Sequence, residues 1–339
     1  MTEYLKYSYI CLTLLLLPTV LSCSTNPKAD AQALTIYSGR NQQLVGPLIE
    51  RFQESSGIRV QVRYGDSAEM ASTILEEGRN SPADLFFSQD AGALGALRGE
   101  GRLKKLPEEL LERVPGPYRC PEGFWVGTSG RVRVVVFNSD RLSEEALPDS
   151  LSGFTDPKWR GRIGWAPSNG SFQAFVTALR LSRGDEAALE WLRGIQANQP
   201  KVYAGNTAIV EAAGRGEIDV GLTNHYYLHR FLAERGEGFP ARNYYPRAGG
   251  VEALVNVAGA GVLVGAKREA AALDFIAFLL SEDAQRFLVE STFEYPLVSD
   301  ALPAAGAKPL SEVAHPGLDL SRLGDLQGTL KMLAAAGVL

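Results

Sequence analysis

Residues Ala33 to Tyr64 read ALTIYSGRNQQLVGPLIERFQESSGIRVQVRY, and the order of signals within them sets the fold class. Ala33–Tyr37 has strand character and stops at the turn Ser38-Gly39-Arg40-Asn41. Leu44, Val45, Leu48, Ile49 and Phe52 then recur at the spacing that lines one face of a helix, and Gly57 closes it. Arg59 to Tyr64 alternates as a half-buried strand does. A second round follows, with a helix from Ser67 to about Glu77 and Pro82 introducing a strand at Ala83–Phe87. Strand, helix, strand, helix, strand predicts a parallel sheet with crossover helices. Ligands of such sheets gather at the carboxyl ends of the strands, which here carry Ser38 to Asn41, Gly65-Asp66 and Ser88-Gln89-Asp90.

Outward from this unit, Arg131–Phe137 (RVRVVVF) is a β-branched strand after the loop Gly127-Thr128-Ser129-Gly130. A second α/β unit then opens with Ile163-Gly164-Trp165 and the turn Ala166 to Ser171. Helices over about 172–181 and 186–197, a strand near 201–203, a helix over 207–214 and a strand from Ile218 complete it. Strand character returns at 251–257 and 261–264, helices follow at 270–280 and 282–289, and the proline-bearing tail closes in a helix near 326–335. A chain of 339 residues accommodates two domains with their own cores.

Composition narrows the function. With 45% hydrophobic and 22% charged residues the chain is globular, and its net charge of -5 argues against a nucleic-acid partner, which calls for a basic face. Lys6 precedes an apolar run from Ile10 to Leu21 that ends in Val20-Leu21-Ser22-Cys23, the layout of a secretory signal. Cys23 at that point resembles the lipobox of bacterial lipoproteins, with 1–22 removed and Cys23 lipidated as the first mature residue. An ordinary signal peptide is the other reading. Residues 23–32 are polar and form a tether. Cys120 is then the remaining thiol, so no internal disulfide and no cysteine metal cluster is expected.

The chemistry-bearing stretch is Thr223-Asn224-His225-Tyr226-Tyr227, directly after the strand that starts at Ile218. Adjacent tyrosines commonly just pack. A phenol with an ordinary pKa of about 10 becomes an anionic ligand at neutral pH only when a strong Lewis acid such as Fe3+ displaces its proton. His225 and His229, four residues apart, have the spacing of a zinc pair but no third ligand beside them. No nucleophile elbow, P-loop or dinucleotide fingerprint supports catalysis, so a secreted enzyme using these tyrosines and His225 lacks a convergent acid and base.

Several stretches together carry a resemblance: LTIYSGR at Leu34–Arg40, SPADLFF at Ser81–Phe87, SGRVRV at Ser129–Val134, WAPSNGSF at Trp165–Phe172, TNHYY at Thr223–Tyr227 and FEYP at Phe293–Pro296. Over nearly the whole chain from Ala33 onward, the sequence resembles the substrate-binding proteins of ferric-iron ABC transporters. The resemblance implies an α/β, two-lobed periplasmic-binding-protein fold with mixed sheets, flanking helices and hinge strands between the lobes. Residues 33–131 plus 257–307 would form one lobe, and 132–256 plus 308–339 the other. It implies Fe3+ as cargo on Tyr226 and Tyr227, a synergistic anion completing the shell, and a monomer that is extracytoplasmic and delivers to an ABC permease.

The sequence departs from the pattern where other members place a histidine (here Asn41), a glutamate (here Gln89) and a third tyrosine (here Asn169). Neutral amides cannot balance a hard trivalent ion, so a further anion is needed. Tyr37, at a strand end, is the protein candidate, or else a core aromatic. Carbonate, phosphate or citrate is the exogenous one, seated on Arg131, which resembles the family's anion-binding arginine, and on Asn169, Gly170, Ser171, Asn206 and Asn224, which match positions that hold a synergistic phosphate. Asn41 and Gln89 are left as possible outer-shell residues. Arg133 reads as a solvated or salt-bridged strand residue on the same face. Loss of the usual histidine and glutamate also motivates an alternative, a binding protein for an oxyanion or a ferric chelate such as citrate.

Overall fold

The computed structural model describes residues 33–298, 303–313 and 317–339, so the expected signal peptide, Cys23 and the tether lie outside the described residues. The opening stretch folds as read: β1 (Leu34–Ser38), α1 (Gln42–Ser56), β2 (Val60–Tyr64), α2 (Ser67–Glu77) and β3 (Leu85–Ser88). β1 pairs in parallel with both β2 and β3. Asn41 caps α1, its Oδ1 accepting from Gln43 N at 2.8 Å, and Gly57 ends it at φ 71°. The apolar face of α1 is buried, with Phe52 edge-on to Phe275 at 5.0 Å.

Next come α3 (Ala91–Gly99), the single helical turn α4 (Glu108–Leu111) and β4 (Val126–Asn138), a strand buried along all 13 residues. β5 (Ile163–Trp165), α5 (Gly170–Arg183), α6 (Asp185–Ala197), β6 (Lys201–Val202), α7 (Asn206–Gly214), β7 (Val220–Asn224) and α8 (His225–Arg235) form the second unit. β8 (Ala241–Tyr244), β9 (Val255–Val262), α9 (Glu269–Leu279), α10 (Glu282–Thr292) and α11 (Leu326–Ala335) complete the chain. The strands join in the order β2-β1-β3-β9-β4-β7-β5-β6, with β8 on β4.

β4 positions the site because its partners change along its length. Val126 to Val132 pair with β9, whereas Arg133 to Phe137 pair with β7, and Val135 to Asn138 also take β8. Burial on both faces explains the uninterrupted β-branched run.

Two expectations are corrected. Gly127–Gly130 is strand rather than loop: a Cβ on Gly127 would stand 2.4 Å from Tyr118 O, so the small residues there mark close approach within a sheet. The two strands expected at 251–257 and 261–264 are a 3₁₀ turn at Gly250–Ala253 and the single strand β9, whose Gly259 lies against Val126 O for the same reason. The tyrosine pair follows β7 but sits inside a helix, as described below. Among the described residues no helix is long and apolar enough to cross a membrane.

Candidate functional site

Asn224 ends β7 and is the N-cap of α8, so Tyr226 and Tyr227 lie in the first turn of that helix. The unpaired N–H groups and dipole of a helix start favour negative charge, which is the charge a deprotonated phenol carries. The two rings stack with centroids 4.2 Å apart at 28°, and the Arg230 guanidinium lies 5.1 and 5.7 Å from their centroids. Tyr226 is buried and Tyr227 half-buried. Burial first, and then the neighbouring Tyr227, pushes the Tyr226 hydroxyl well above the ordinary phenol range, while Arg131 pulls it down. Tyr226 therefore keeps its proton unless a cation replaces it.

Arg131 and Arg133 flank Val132, the residue at which β4 changes partners. Arg131 Nη2 donates to the carbonyl of Gln89 beyond β3. Arg133 is not solvated, as its position on an alternating strand suggested, and has no salt bridge among the described residues: it is 4% exposed. Its Nη1 makes long contacts to Ser171 Oγ at 3.5 Å and Asn224 Oδ1 at 3.4 Å, and its guanidinium lies 5.8 and 5.4 Å from the Phe172 and Phe175 ring centroids. Burial lowers its pKa to about 10, and Tyr227 and Tyr226 are the groups whose negative charge would oppose that shift. A guanidinium at this depth with neutral partners is short of one anion.

The expected anion-binding residues converge on it. Asn169 caps α5, its Oδ1 accepting from Ser171 N at 3.0 Å and from Ser171 Oγ at 2.6 Å. Asn206, the first residue of α7, donates to Ser171 Oγ at 3.1 Å. Gly170 has open space where a Cβ would stand. The starts of α5, α7 and α8 thus meet around Arg133, an arrangement of N–H groups and dipoles suited to an oxyanion.

Two of the remaining candidates stand apart. Tyr37 hydroxyl donates to Glu77 Oε1 at 2.9 Å and Arg63 lies over its ring at 5.3 Å, so the phenol is held by a local ion-pair cluster and makes no contact with the other candidates. Asn41 is exposed and serves as a helix cap. Gln89 does reach the cluster, through its carbonyl on Arg131 and its N–H on Ser67 Oγ at 2.8 Å.

A second layer went unread in the sequence. Glu294 is buried and holds Arg40 Nη1 through both oxygens, at 3.1 and 2.9 Å, and accepts from Ser129 Oγ. Burial pushes its carboxyl up, but Arg40, Arg131 and Ser129 outweigh it and hold the group below the ordinary carboxylate range. His225, fully buried, accepts from Val132 N–H on Nδ1 at 3.2 Å and donates from Nε2 to Phe293 O at 2.9 Å. Burial, then His229, pushes it down to about 3, so it is a neutral pin between β4, α8 and the segment after α10 rather than half of a zinc pair. The FEYP stretch and Arg40 in the first turn were the available signals; their pairing spans 254 residues and no local pattern announces it.

Among the described residues no group of three or more His, Cys, Asp or Glu is placed to hold a metal.

The chain belongs to the bacterial extracellular solute-binding protein family, whose pattern matches residues 80–316. It is 33% identical over 327 residues to the major ferric iron-binding protein of Neisseria meningitidis serogroup B, covering 95% of this chain and 97% of that one. Iron-bound HitA from Pseudomonas aeruginosa superposes with a TM-score of 0.82 at 34% identity, over 90% of this chain and 99% of that one. The Trichodesmium protein IdiA (FutA) in complex with iron and citrate gives 0.81 at 28% identity, over 91% and 100%. The fold is the α/β, two-lobed periplasmic-binding-protein class, and the family is one of solute-binding transport proteins rather than enzymes.

Proposed function

We propose that this chain captures Fe3+ through the phenolates of Tyr226 and Tyr227, with an oxyanion on Arg133, Arg131 and the starts of α5, α7 and α8. The observation that carries the reading is the stacked tyrosine pair beside two buried arginines, where no group of three or more His, Cys, Asp or Glu among the described residues is placed to hold a metal. Fe3+ would displace both phenol protons, and two phenolates leave it one positive charge in excess. Arg131 and Arg133 add to that excess, so an anion of at least two charges belongs to the complex. Carbonate, phosphate and citrate all meet the requirement. Tyr37 is left out of the ligand set because Glu77 holds its hydroxyl.

In this reading residues 33–131 plus 257–307 form one lobe and 132–256 plus 308–339 the other, closing on the cargo. Cys23 anchors the chain by a lipid outside the cytoplasm, and an ABC permease receives the iron from the monomeric receptor.

A second reading keeps the residues and changes the cargo to a preformed ferric chelate such as ferric citrate. The number of buried cations and helix starts, set against two phenols, favours it. Visible spectroscopy and calorimetry separate the readings. Ferric ion added with carbonate or phosphate to the apo protein should produce phenolate-to-iron charge-transfer colour, and a blank spectrum with every ferric source refutes both. Colour with ferric citrate and none with the other anions selects the chelate.

A further inference from the structure

At the opposite end of the strands from the tyrosines, a second pair of arginines frames a cavity. β1 and β3 run parallel with Ile36 level with Leu85, so Leu34 and Ala83 stand at one end of the sheet, tied by Asp84 N donating to Thr35 O at 2.9 Å. β9 runs antiparallel to β3 and leaves the sheet at this same end through Leu263, Val264 and Gly265. Between these ends, the turn after α2 and the segment after α3 enclose about 230 Å³. Ile74, Ala83 and Leu263 supply apolar lining, Arg79 and Arg102 the charge, with Glu100 on the wall.

Neither Arg79 nor Arg102 has a carboxylate within ion-pair distance among the described residues. Arg102 keeps Nε buried without a partner, and its Nη2 comes within 3.9 Å of where a Gly78 Cβ would stand. Lys267 and Arg268 follow β9 here, their N–H groups held by Asp84 Oδ1 at 2.7 and 3.0 Å, and Arg59 accepts from Leu34 N at 2.8 Å. Asp84 is thereby committed to backbone donors.

It is also the end at which the preceding chain arrives, because Ala33 leads directly into β1. A tether of residues 23–32 spans at most about 35 Å when fully extended. If Cys23 carries a lipid, this end is kept near the bilayer, where phosphates are dense.

We propose that the Arg79–Arg102 cavity binds a phosphate group, and that in the anchored protein this is the headgroup phosphate of an anionic membrane lipid. Two guanidiniums without an acid partner match a phosphate by paired, charge-assisted hydrogen bonds. The headgroup part rests on the lipoprotein reading of Cys23; the phosphate site does not.

The test uses the polypeptide Ala33–Leu339, which forms one compact unit with its own core. It should float with vesicles of phosphatidylcholine plus phosphatidylglycerol and not with phosphatidylcholine alone. Arg79→Ala/Arg102→Ala should weaken that partitioning on the order of 20-fold while leaving the ferric colour unchanged. In calorimetry with inorganic phosphate, the parent should take up one more equivalent than the double variant. Equal phosphate uptake by both would overturn the site. Unequal uptake with no preference for the anionic vesicles would overturn the headgroup assignment and make free phosphate the occupant. Mass spectrometry of the full chain extracted from membranes, showing no lipid on Cys23, would remove the tether argument separately.

Discussion

Arg40 and Arg133 are both withdrawn from water, at 0% and 4% exposure, and although Arg40 leaves Nε and Nη2 without partners, it alone of the two has a built-in counter-ion, which separates scaffold from site. Arg40 meets Glu294 through both carboxylate oxygens, with Ser129 completing the acceptor's shell. Arg133 meets two long neutral contacts and two aromatic rings. A buried charge with a built-in counter-ion holds parts of a fold in register, whereas one without is an unmet requirement that a ligand can fulfil. Arg40 reaches the β9-paired part of β4 through Glu294, which accepts from Ser129, whereas Arg133 opens the β7-paired part, so the paired charge braces one side of the crossing and the unpaired one stands beside the tyrosines.

The contrast can be broken most forcefully at the paired charge. Glu294→Ala leaves Arg40 buried without an anion and should cost about 3–5 kcal/mol in chemical denaturation; a loss under 1 kcal/mol would mean that water already solvates the pair. Next in size, Tyr226→Phe or Tyr227→Phe should weaken and shift the ferric charge-transfer band, the double variant should abolish it, and each single change should weaken iron binding by more than about 100-fold in a chelator competition, since outer-shell partners alone are worth about 10–100-fold. Arg133→Met should leave folding stability unchanged or raised, the reverse of Glu294→Ala, while anion affinity falls about 10–100-fold by calorimetry. A large loss of stability in that variant would place Arg133 with the scaffold. Smallest of all, Tyr37→Phe removes the hydroxyl bond to Glu77 and should cost about 1 kcal/mol without altering the ferric colour.

The alternating elements of the first unit were legible because their periodicities are local: the spacing of Leu44 to Phe52 and the alternation of Arg59 to Tyr64 reappear as α1 and β2. Glycine misled at Gly127–Gly130 and Gly259, where it serves close packing between strands and the usual inference of a turn fails. β8 was missed because Ala241–Tyr244 mixes Arg and Asn into four residues, and only pairing with β4 makes it a strand. In the site, the residues named at helix starts converge, since a cap residue announces both the helix and its N–H groups. Arg133 was misread because alternation tells which residues share a face but not whether that face is wet. Glu294 and His225 act through partners far away in the chain, which a sequence does not disclose.

The most direct measurement is anomalous scattering at the iron edge from crystals of the protein loaded with Fe3+ in the presence of citrate or phosphate. The account predicts an iron peak bonded to the phenolate oxygens of Tyr226 and Tyr227, with anion density reaching the Arg133 guanidinium. Iron bound elsewhere, or bound at the tyrosines with Arg133 still facing only Ser171, Asn224 and the two phenylalanines, would contradict it.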